Sequence, residues 1–504
     1  MNRTPLVIGS ESDVVVAIDA GTARRAIKWV WILGFGGVFF EAYSGAALAT
    51  GLEPLSRELN LSALQVSWVT SSYMLVAIVL CPLAGGIADR LGRIPVILAA
   101  KAIALVAMLV GTTAMGFEQL LISRLLLGVA WAMDFGVVLA YVSEFLPRRY
   151  QSRLSRWQGV WYVATTSNLL LAALIYQFGV GGSIWRWMLA SAGVIAFILL
   201  GAQWLLLPES PRWLASKGRL AEASANLTKM YAVSVVPAPS AGAAPGAQPP
   251  AARGSVREIL RAPYLRRTIL ADITFGAQAW QYFAIGWYLP VIAIVLFGEG
   301  FTQASLGAAL FNSLGIVGGF AAAWLAAKLT IRRAAQIGFG FCAVLLVVFG
   351  LTLSNLSTFW AVVLPATFIL VHSALAAPSG AGFSALAYPS HLRALGLGFA
   401  TTSCNIGASM GLFLFPVMQE HLGPGGAVAA TAAAPILGFL ATTLIRWDPD
   451  RPSETCLQNR DGAGSTIDGM DGGHPIDGGP TAVGVTVDSI DTPAGQPVTS
   501  DHLK

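Results

Sequence analysis

Twelve apolar stretches, each about long enough to cross a bilayer as a helix, set the limits on what this chain can fold into. They lie near 27–50, 66–87, 94–115, 119–146, 155–178 and 184–207, and after a break near 267–297, 304–328, 334–354, 359–386, 394–418 and 424–446. A helix needs ~20 predominantly apolar residues to span the hydrocarbon core. Charged residues make up 11% of the chain, against about 25% in soluble domains. The pattern predicts an all-α membrane protein of twelve transmembrane helices in two pseudo-symmetric six-helix bundles, residues 27–207 and 267–446. A polar N-terminal segment, 1–26, precedes them. The separator, 208–266, contains VPAPSAGAAPGAQPPAARG and is expected to be a flexible linker. The segment 447–504 is rich in Gly, Asp, Pro and Thr and is expected to be disordered.

Charge placement predicts orientation. Of 31 Lys and Arg residues, 27 fall on one side if the N-terminus is cytoplasmic. Arg57 and Arg186 fall on the other side, and Lys101 and Arg124 lie within spans. The positive-inside rule then puts both termini in the cytoplasm. It also makes the basic loops topology determinants rather than a nucleic-acid surface. Cys81, Cys342, Cys404 and Cys456 form no C-x-x-C pair, so neither a disulfide framework nor a zinc site is expected. No cleavable signal is evident ahead of the first span, which is expected to stay as an anchor. The chain has no H-E-x-x-H and no metal cluster, and no enzyme, cofactor or metal is expected. The linker is too small to house the domain of a transporter-like sensor.

Between spans 2 and 3 the chain reads Gly85-Gly86-Ile87-Ala88-Asp89-Arg90-Leu91-Gly92-Arg93. Glycines allow close helix approach and a tight turn, and the charges could bridge a neighbouring helix in one conformation and release it in another. This stretch resembles the signature loop of the major facilitator superfamily, G-x-x-x-D-R-x-G-R-[KR], with Ile94 at the last position. The matching loop of the second half, Ala323 to Arg333, has Ala327 where the acid would stand, and its lock is expected to be weaker or built differently. Arg124-Leu-Leu-Leu-Gly128, Tyr141-Val-Ser-Glu144-Phe-Leu-Pro147, Pro208-Glu209-Ser210-Pro211-Arg212-Trp213-Leu214 and Pro389-Ser-His-Leu-Arg393-Ala-Leu-Gly396 resemble the branch holding sugar porters, organic-ion transporters and metabolite:proton symporters. The resemblance covers roughly residues 27–446. It implies a conformational gate of Gly85, Asp89, Arg90, Gly92, Arg93, Glu144, Glu209, Arg212 and Arg393. Gln151 and Ser152 stand where Arg-Gly is usual, and Leu386 replaces a usual Glu, so part of the network is missing.

Four charges interrupt the spans: Glu41, Lys101, Arg124 and Asp134. A charge at a span centre costs ~2.5–3.5 kcal/mol on insertion scales, and such residues face a bundle interior. Glu41 fills the first position of the family pattern F-D-x-Y-D, and Ser44 stands at the second, the coupling acid of sugar–proton symporters. The resemblance implies Arg124 as the partner of Glu41. Asp134 lies ten residues before Glu144, where relatives carrying organic acids or phosphate have an acid. Asp134, Glu41 and Arg124 are the expected proton-coupling set, with Asp134 the leading candidate and a structural pair with Lys101 or Arg124 as its lesser alternative. Lys101, about seven residues into its span, is expected to snorkel to the interface.

Aromatic and amide side chains on cavity-facing spans supply a candidate substrate site: Tyr43, Trp131, Gln158, Trp161, Tyr162, Gln278, Gln281, Tyr282, Asn312 and Asn405. An apolar site with a few placed polar groups suits a small organic ligand, while the same residues also serve as helix–helix contacts. His372 is expected to be a packed histidine. The sugar-porter pattern Q-Q-x-x-G-x-N is not reproduced in span 7. The expectation is a proton-coupled symporter of a small organic metabolite, an organic or aromatic acid, working by alternating access as a monomeric unit in a bacterial inner membrane. A sugar or polyol symporter and an organic-ion or drug exporter are the alternatives.

Overall fold

The computed structural model describes residues 5–147, 150, 154, 156–238, 255–297, 300–355, 357–388 and 390–449. Residues up to Arg451 form one compact unit, and those from Pro452 onward belong to a second unit outside the described residues. Gln151, Ser152, Pro389 and the Pro-rich tract 239–254 also lie outside them.

In the first half, α1 (Glu11–Ala20) precedes the long helices. These are α2 (Ile27–Thr50), α4 (Ala63–Leu91), α5 (Arg93–Thr112), α6 (Phe117–Glu144), α7 (Trp157–Tyr176) and α8 (Ile184–Leu206). A short helix, α3 (Leu52–Glu58), joins α2 to α4. A capping box starts α4: the Gln65 amide donates to Ser62 Oγ, and Gln65 Oε1 accepts from the Ser62 amide. Gly92, at φ +110°, turns the chain from α4 directly into α5.

After α8 come α9 (Pro211–Ser216) and α10 (Leu220–Met230). Strand β1 (Leu6–Ile8) pairs in parallel with β2 (Val235–Pro237), and α1 packs on α9 with Glu11 accepting from Arg212. Residues 208–238 therefore fold with the N-terminal segment, burying Val14, Ile18, Leu227 and Met230 between them.

In the second half, α11 (Val256–Ile259) leads into α12 (Tyr264–Gln281), which passes through a π-turn at Tyr282–Gly286 into α13 (Leu289–Phe297), bent by 41°. Then follow α14 (Phe301–Leu329), α15 (Ile331–Thr352), α16 (Thr358–Val371), a second π-turn (His372–Ala376), α17 (Ala377–Leu386), α18 (Ser390–Thr431) and α19 (Ala433–Leu444). Among the described residues, ten helices are long and apolar enough to cross a membrane, and the bent pair makes an eleventh. One of the ten, Leu395–Leu444, has 50 residues. At 1.5 Å per residue that is ~75 Å, more than twice the ~30 Å hydrocarbon core. It breaks at Gly423, φ +71°, before Pro424, giving two crossings and twelve in all.

Helices meet where side chains are smallest. A Cβ on Gly407 of α18 would stand 2.0 Å from the Gly276 carbonyl oxygen of α12. The two halves touch along α7–α14 and α4–α18. At one end Gly319 closes on Gly159; at the other Tyr288 Oη donates to Leu412 O at 2.9 Å and to Thr70 Oγ1 at 3.0 Å. At that same end Glu58 accepts from Trp185 and Arg186. Burial pushes the Glu58 carboxyl up, but these donors outweigh it and hold the group below its ordinary value.

Gly407→Val is expected to destabilise the second half by at least the ~1–3 kcal/mol typical of overpacking. Gly398→Ala, with no neighbour within 4 Å of the added carbon, should be tolerated. Thermal unfolding midpoints in detergent check the contrast, and equal midpoints would count against this crossing.

Candidate functional site

The centre of the molecule holds a cavity of about 20 Å³ between the halves. That is room for a water and for no metabolite, so a solute must be admitted by separating the helices around it. Helix α2 contributes Glu41, Gly45 and Thr50, α4 contributes Tyr73, and α7 contributes Trp161 and Thr165. Across from them stand Tyr282 and Phe283 of the π-turn, Trp287, and Asn312 of α14. Polar contacts cross the divide: Trp161 Nε1 donates to Tyr282 Oη at 2.7 Å, and Thr165 Oγ1 donates to Asn312 Oδ1 at 3.2 Å. The π-turn exists where Gly286 meets the Tyr282 ring, and such single-turn insertions are frequent at functional sites.

Of the sequence-predicted substrate residues, Trp161, Tyr282 and Asn312 line this cavity. Trp131 sits behind it, edge-on to Tyr73 and Trp161, and Tyr162 packs on Gly315. Tyr43 faces away, its hydroxyl 2.8 Å from Ser191 of α8. Gln158 is buried where α7 meets Gly319. Gln278 reaches Cys404 Sγ at 3.8 Å, and Asn405 reaches Cys81 Sγ at 3.5 Å across the halves. Gln281 Nε2 lies 2.8 Å from His372 Nδ1, and that ring is stacked between Tyr282 and Phe368, a packed histidine as expected. Sequence reasoning missed Thr50, Tyr73 and Thr165. Each is an ordinary residue on an apolar span, and only helix rotation brings it to the cavity.

The buried charges pair differently from expectation. Lys101 does not snorkel: its ammonium is fully buried and donates to Glu41 Oε1 at 3.2 Å and, by a shorter contact, to Asp134 Oδ2. It lies on the inward face of α5 with Ile97, Ala104 and Met108, and that shared face places it in the core. The expected Glu41–Arg124 pair is absent, because Lys101 occupies Glu41. Arg124 instead lies over the Tyr73 ring, 4.4 Å from its centroid, with Nε donating to Val69 O at 3.2 Å. Its two terminal nitrogens are buried without an acceptor among the described residues.

The gate residues fall at the end that carries the basic loops. Arg93 bonds Glu144 at 3.0 Å and Asp89 at 2.5 Å. Glu209 accepts from the backbone amides of Arg93 (3.0 Å) and Ile94 (3.2 Å), capping the start of α5. Gly92 is required there: a Cβ would lie 2.5 Å from Glu209 Oε2. Trp213 Nε1 donates to the Asp89 carbonyl at 2.9 Å, tying α9 to the loop. Arg212 stands outside this cluster, on Glu11. Arg90 is exposed and Gly85 has open space beside it. The side chain of Arg393 lies outside the described residues.

A twelve-helix membrane bundle, split into halves around a central cavity, is the architecture of a major facilitator transporter, not of an enzyme. Residues 30–446 match the sugar (and other) transporter family, and the chain belongs to it. It is 27% identical over 422 residues to the inner membrane metabolite transport protein YgcS of Escherichia coli (strain K12), covering 83% of this chain and 90% of that one. It is 25% identical over 423 residues to the arabinose-proton symporter of Bacillus subtilis (strain 168), covering 82% and 90%. Among solved structures, a partially occluded inward-open conformation of the xylose transporter XylE from E. coli superposes with a TM-score of 0.69 at 17% identity, covering 84% of this chain and 99% of that one.

Arg93→Gln removes a charged donor from two carboxylates, a loss of about 1.5–3 kcal/mol. The expected result is faster alkylation of Cys81, at the α4–α18 contact, in a background where Cys342, Cys404 and Cys456 are serine. An unchanged alkylation rate would count against a latch at Arg93.

Proposed function

We propose that this protein is a proton-coupled symporter of a small organic metabolite. The observation that carries this reading is the cluster of Glu41, Lys101 and Asp134, buried in the membrane and with Glu41 on the wall of the central cavity. Two carboxylates and one ammonium cannot all be ionised without leaving net charge in a low-dielectric interior, so a proton belongs to the cluster. The basic end faces the cytoplasm, following the positive-inside rule. The halves rock about the cavity, with Arg93, Asp89, Glu144 and Glu209 latching the cytoplasmic end of the first half.

For the substrate, the reading is an organic acid with a ring. Trp161, Tyr282, Phe283 and Trp287 offer flat apolar faces. The unaccepted guanidinium of Arg124, against Tyr73 of the cavity wall, supplies a charge for a carboxylate. Asp134 lends this reading no support, because its carboxylate is turned to Lys101 and is not part of the wall. A sugar or polyol is the second reading, favoured by the arabinose-proton symporter among the relatives and by Thr50, Thr165 and Asn312 on the wall.

Proteoliposomes with an imposed pH gradient test both. Labelled aromatic carboxylates should accumulate against their gradient and aldopentoses should not, and the reverse pattern selects the second reading. Glu41→Gln should abolish accumulation while leaving exchange down a substrate gradient. Arg124→Gln should raise the KM for the acid about tenfold or more. Accumulation unaffected by collapsing the pH gradient would remove the symport reading.

A further inference from the structure

The three buried charges are not equivalent. Lys101 Nζ, from α5, holds Asp134 of α6 by the shorter contact and Glu41 of α2 at 3.2 Å. All three side chains are fully shielded from solvent. Each carboxylate leaves one buried oxygen without a partner, Glu41 Oε2 and Asp134 Oδ1. The ammonium also lies over the Phe40 ring, 4.5 Å from its centroid. Glu41 borders the central cavity, whereas Asp134 and Lys101 do not. Asp134 is seated against α2 at Gly37, one turn before Glu41, where an added Cβ would lie 3.3 Å from Asp134 Oδ2. A larger residue at 37 would push the carboxylate off α2.

The remaining titratable groups around the cluster are few. Helix α4 brings Tyr73 and Cys81, α6 brings Arg124 beyond Tyr73, and Tyr282 faces Tyr73 across the cavity. Tyr162 lies further along α7, and α8 presents Ser191 to Tyr43; phenols and thiols ordinarily titrate above neutral pH.

We propose that Lys101 and Asp134 form a standing ion pair behind α2, and that Glu41 alone takes and releases the transported proton. Ionised, Glu41 is drawn to Lys101, and α2 is tied to α5 and α6. Protonated, it gives up that attraction while Lys101 stays neutralised by Asp134, so the cluster is neutral in that state and carries one net negative charge when Glu41 is ionised. Lys101 is thus a positioning residue: it decides which of two neighbouring acids is free to exchange. This assignment rests on the proton-coupled reading above. It gives to a lysine of the third span the counter-charge role that the sequence resemblance placed on Arg124, and it moves the exchangeable proton from Asp134 to Glu41.

The test needs no substrate. Infrared difference spectra of the purified, lipid-reconstituted protein, recorded between acid and alkaline pH, read the C=O stretch of buried protonated carboxyl groups. In an Asp272→Asn background, which removes another carboxyl with a buried unpartnered oxygen, on α12, the expected result is one titrating band, absent in Glu41→Gln and retained in Asp134→Asn. Lys101→Met removes the counter-charge, so Asp134 must take a proton as well and a second band appears. Lys101→Arg restores the single band. The charge-balanced double variant Lys101→Met with Asp134→Asn, which spares the fold an unpaired buried charge, keeps the Glu41 band. A band lost in Asp134→Asn and kept in Glu41→Gln would overturn the assignment while leaving proton coupling intact. No titrating carboxyl band in any variant would overturn both.

Discussion

An ammonium shared by two carboxylates inside the first bundle is the interaction on which the rest of the molecule depends. Removing a charge from water carries a penalty of several kcal/mol per ion, and only close pairing offsets it. Lys101, Glu41 and Asp134 meet that condition by drawing α5, α2 and α6 to one point. Any one of them left alone would be an uncompensated charge in lipid, so the three helices can separate only with a change in protonation. The contacts between halves are of another kind: a few hydroxyl and indole bonds such as Tyr288 to Thr70 and Trp161 to Tyr282, laid over glycine contacts. Bonds of that sort contribute about 0.5–1.5 kcal/mol each. The mechanical consequence is a stiff first half and a divide that opens at lower cost.

The spans were legible because lipid enforces a length and a polarity that hydropathy records directly. Every apolar stretch named from the sequence coincides with helix in the structure, including the bent seventh and the pair divided at Gly423. What hydropathy does not record is helix rotation about its own axis. Lys101 illustrates this: its distance from the end of α5 allowed snorkelling, and the decision lay in its sharing a face with Ile97, Ala104 and Met108. A stripe of small residues, Ala100, Ala104, Ala107 and Gly111, runs beside it and marks the side of α5 on which neighbours come close. That stripe was the signal available in the sequence. Glu41 could be named from its motif, but its partner could not, since Lys101 and Arg124 are both basic residues within reach of span 1 in some rotation.

The cavity wall divides along the same line. Trp161, Tyr282 and Asn312 are conspicuous residues on predicted inward faces, and they do face inward. Gln278, Gln281 and Asn405 were equally conspicuous, yet each is engaged with a neighbouring helix, at Cys404, His372 and Cys81. Amides in an apolar interior cost free energy unless bonded. In a cavity of about 20 Å³ the nearest available acceptor or donor is another helix. Of the three, Asn405 bonds across the divide, to Cys81, whereas Gln278 and Gln281 bond within the second half.

The two ends of the bundle with basic loops are held by different chemistry, which sets an asymmetry between the halves. In the first half, Arg93 reaches carboxylates, and Glu209 caps the amides at the start of α5. In the second, where the loop lacks its acid, Arg332 and Gln336 donate to the Thr442 carbonyl near the end of α19, and Lys328 lies over Trp324. A cation on the last carbonyls of a helix is favourable, because that end carries about half an elementary negative charge. Acid–base pairs respond to the exposure and protonation of both partners, whereas a carbonyl does not titrate. In the first half such pairs involve Arg93 near the surface and Lys101 within the membrane. The cavity wall draws aromatic rings from both halves, Tyr73 and Trp161 from the first and Tyr282, Phe283 and Trp287 from the second, with the π-turn on the second side.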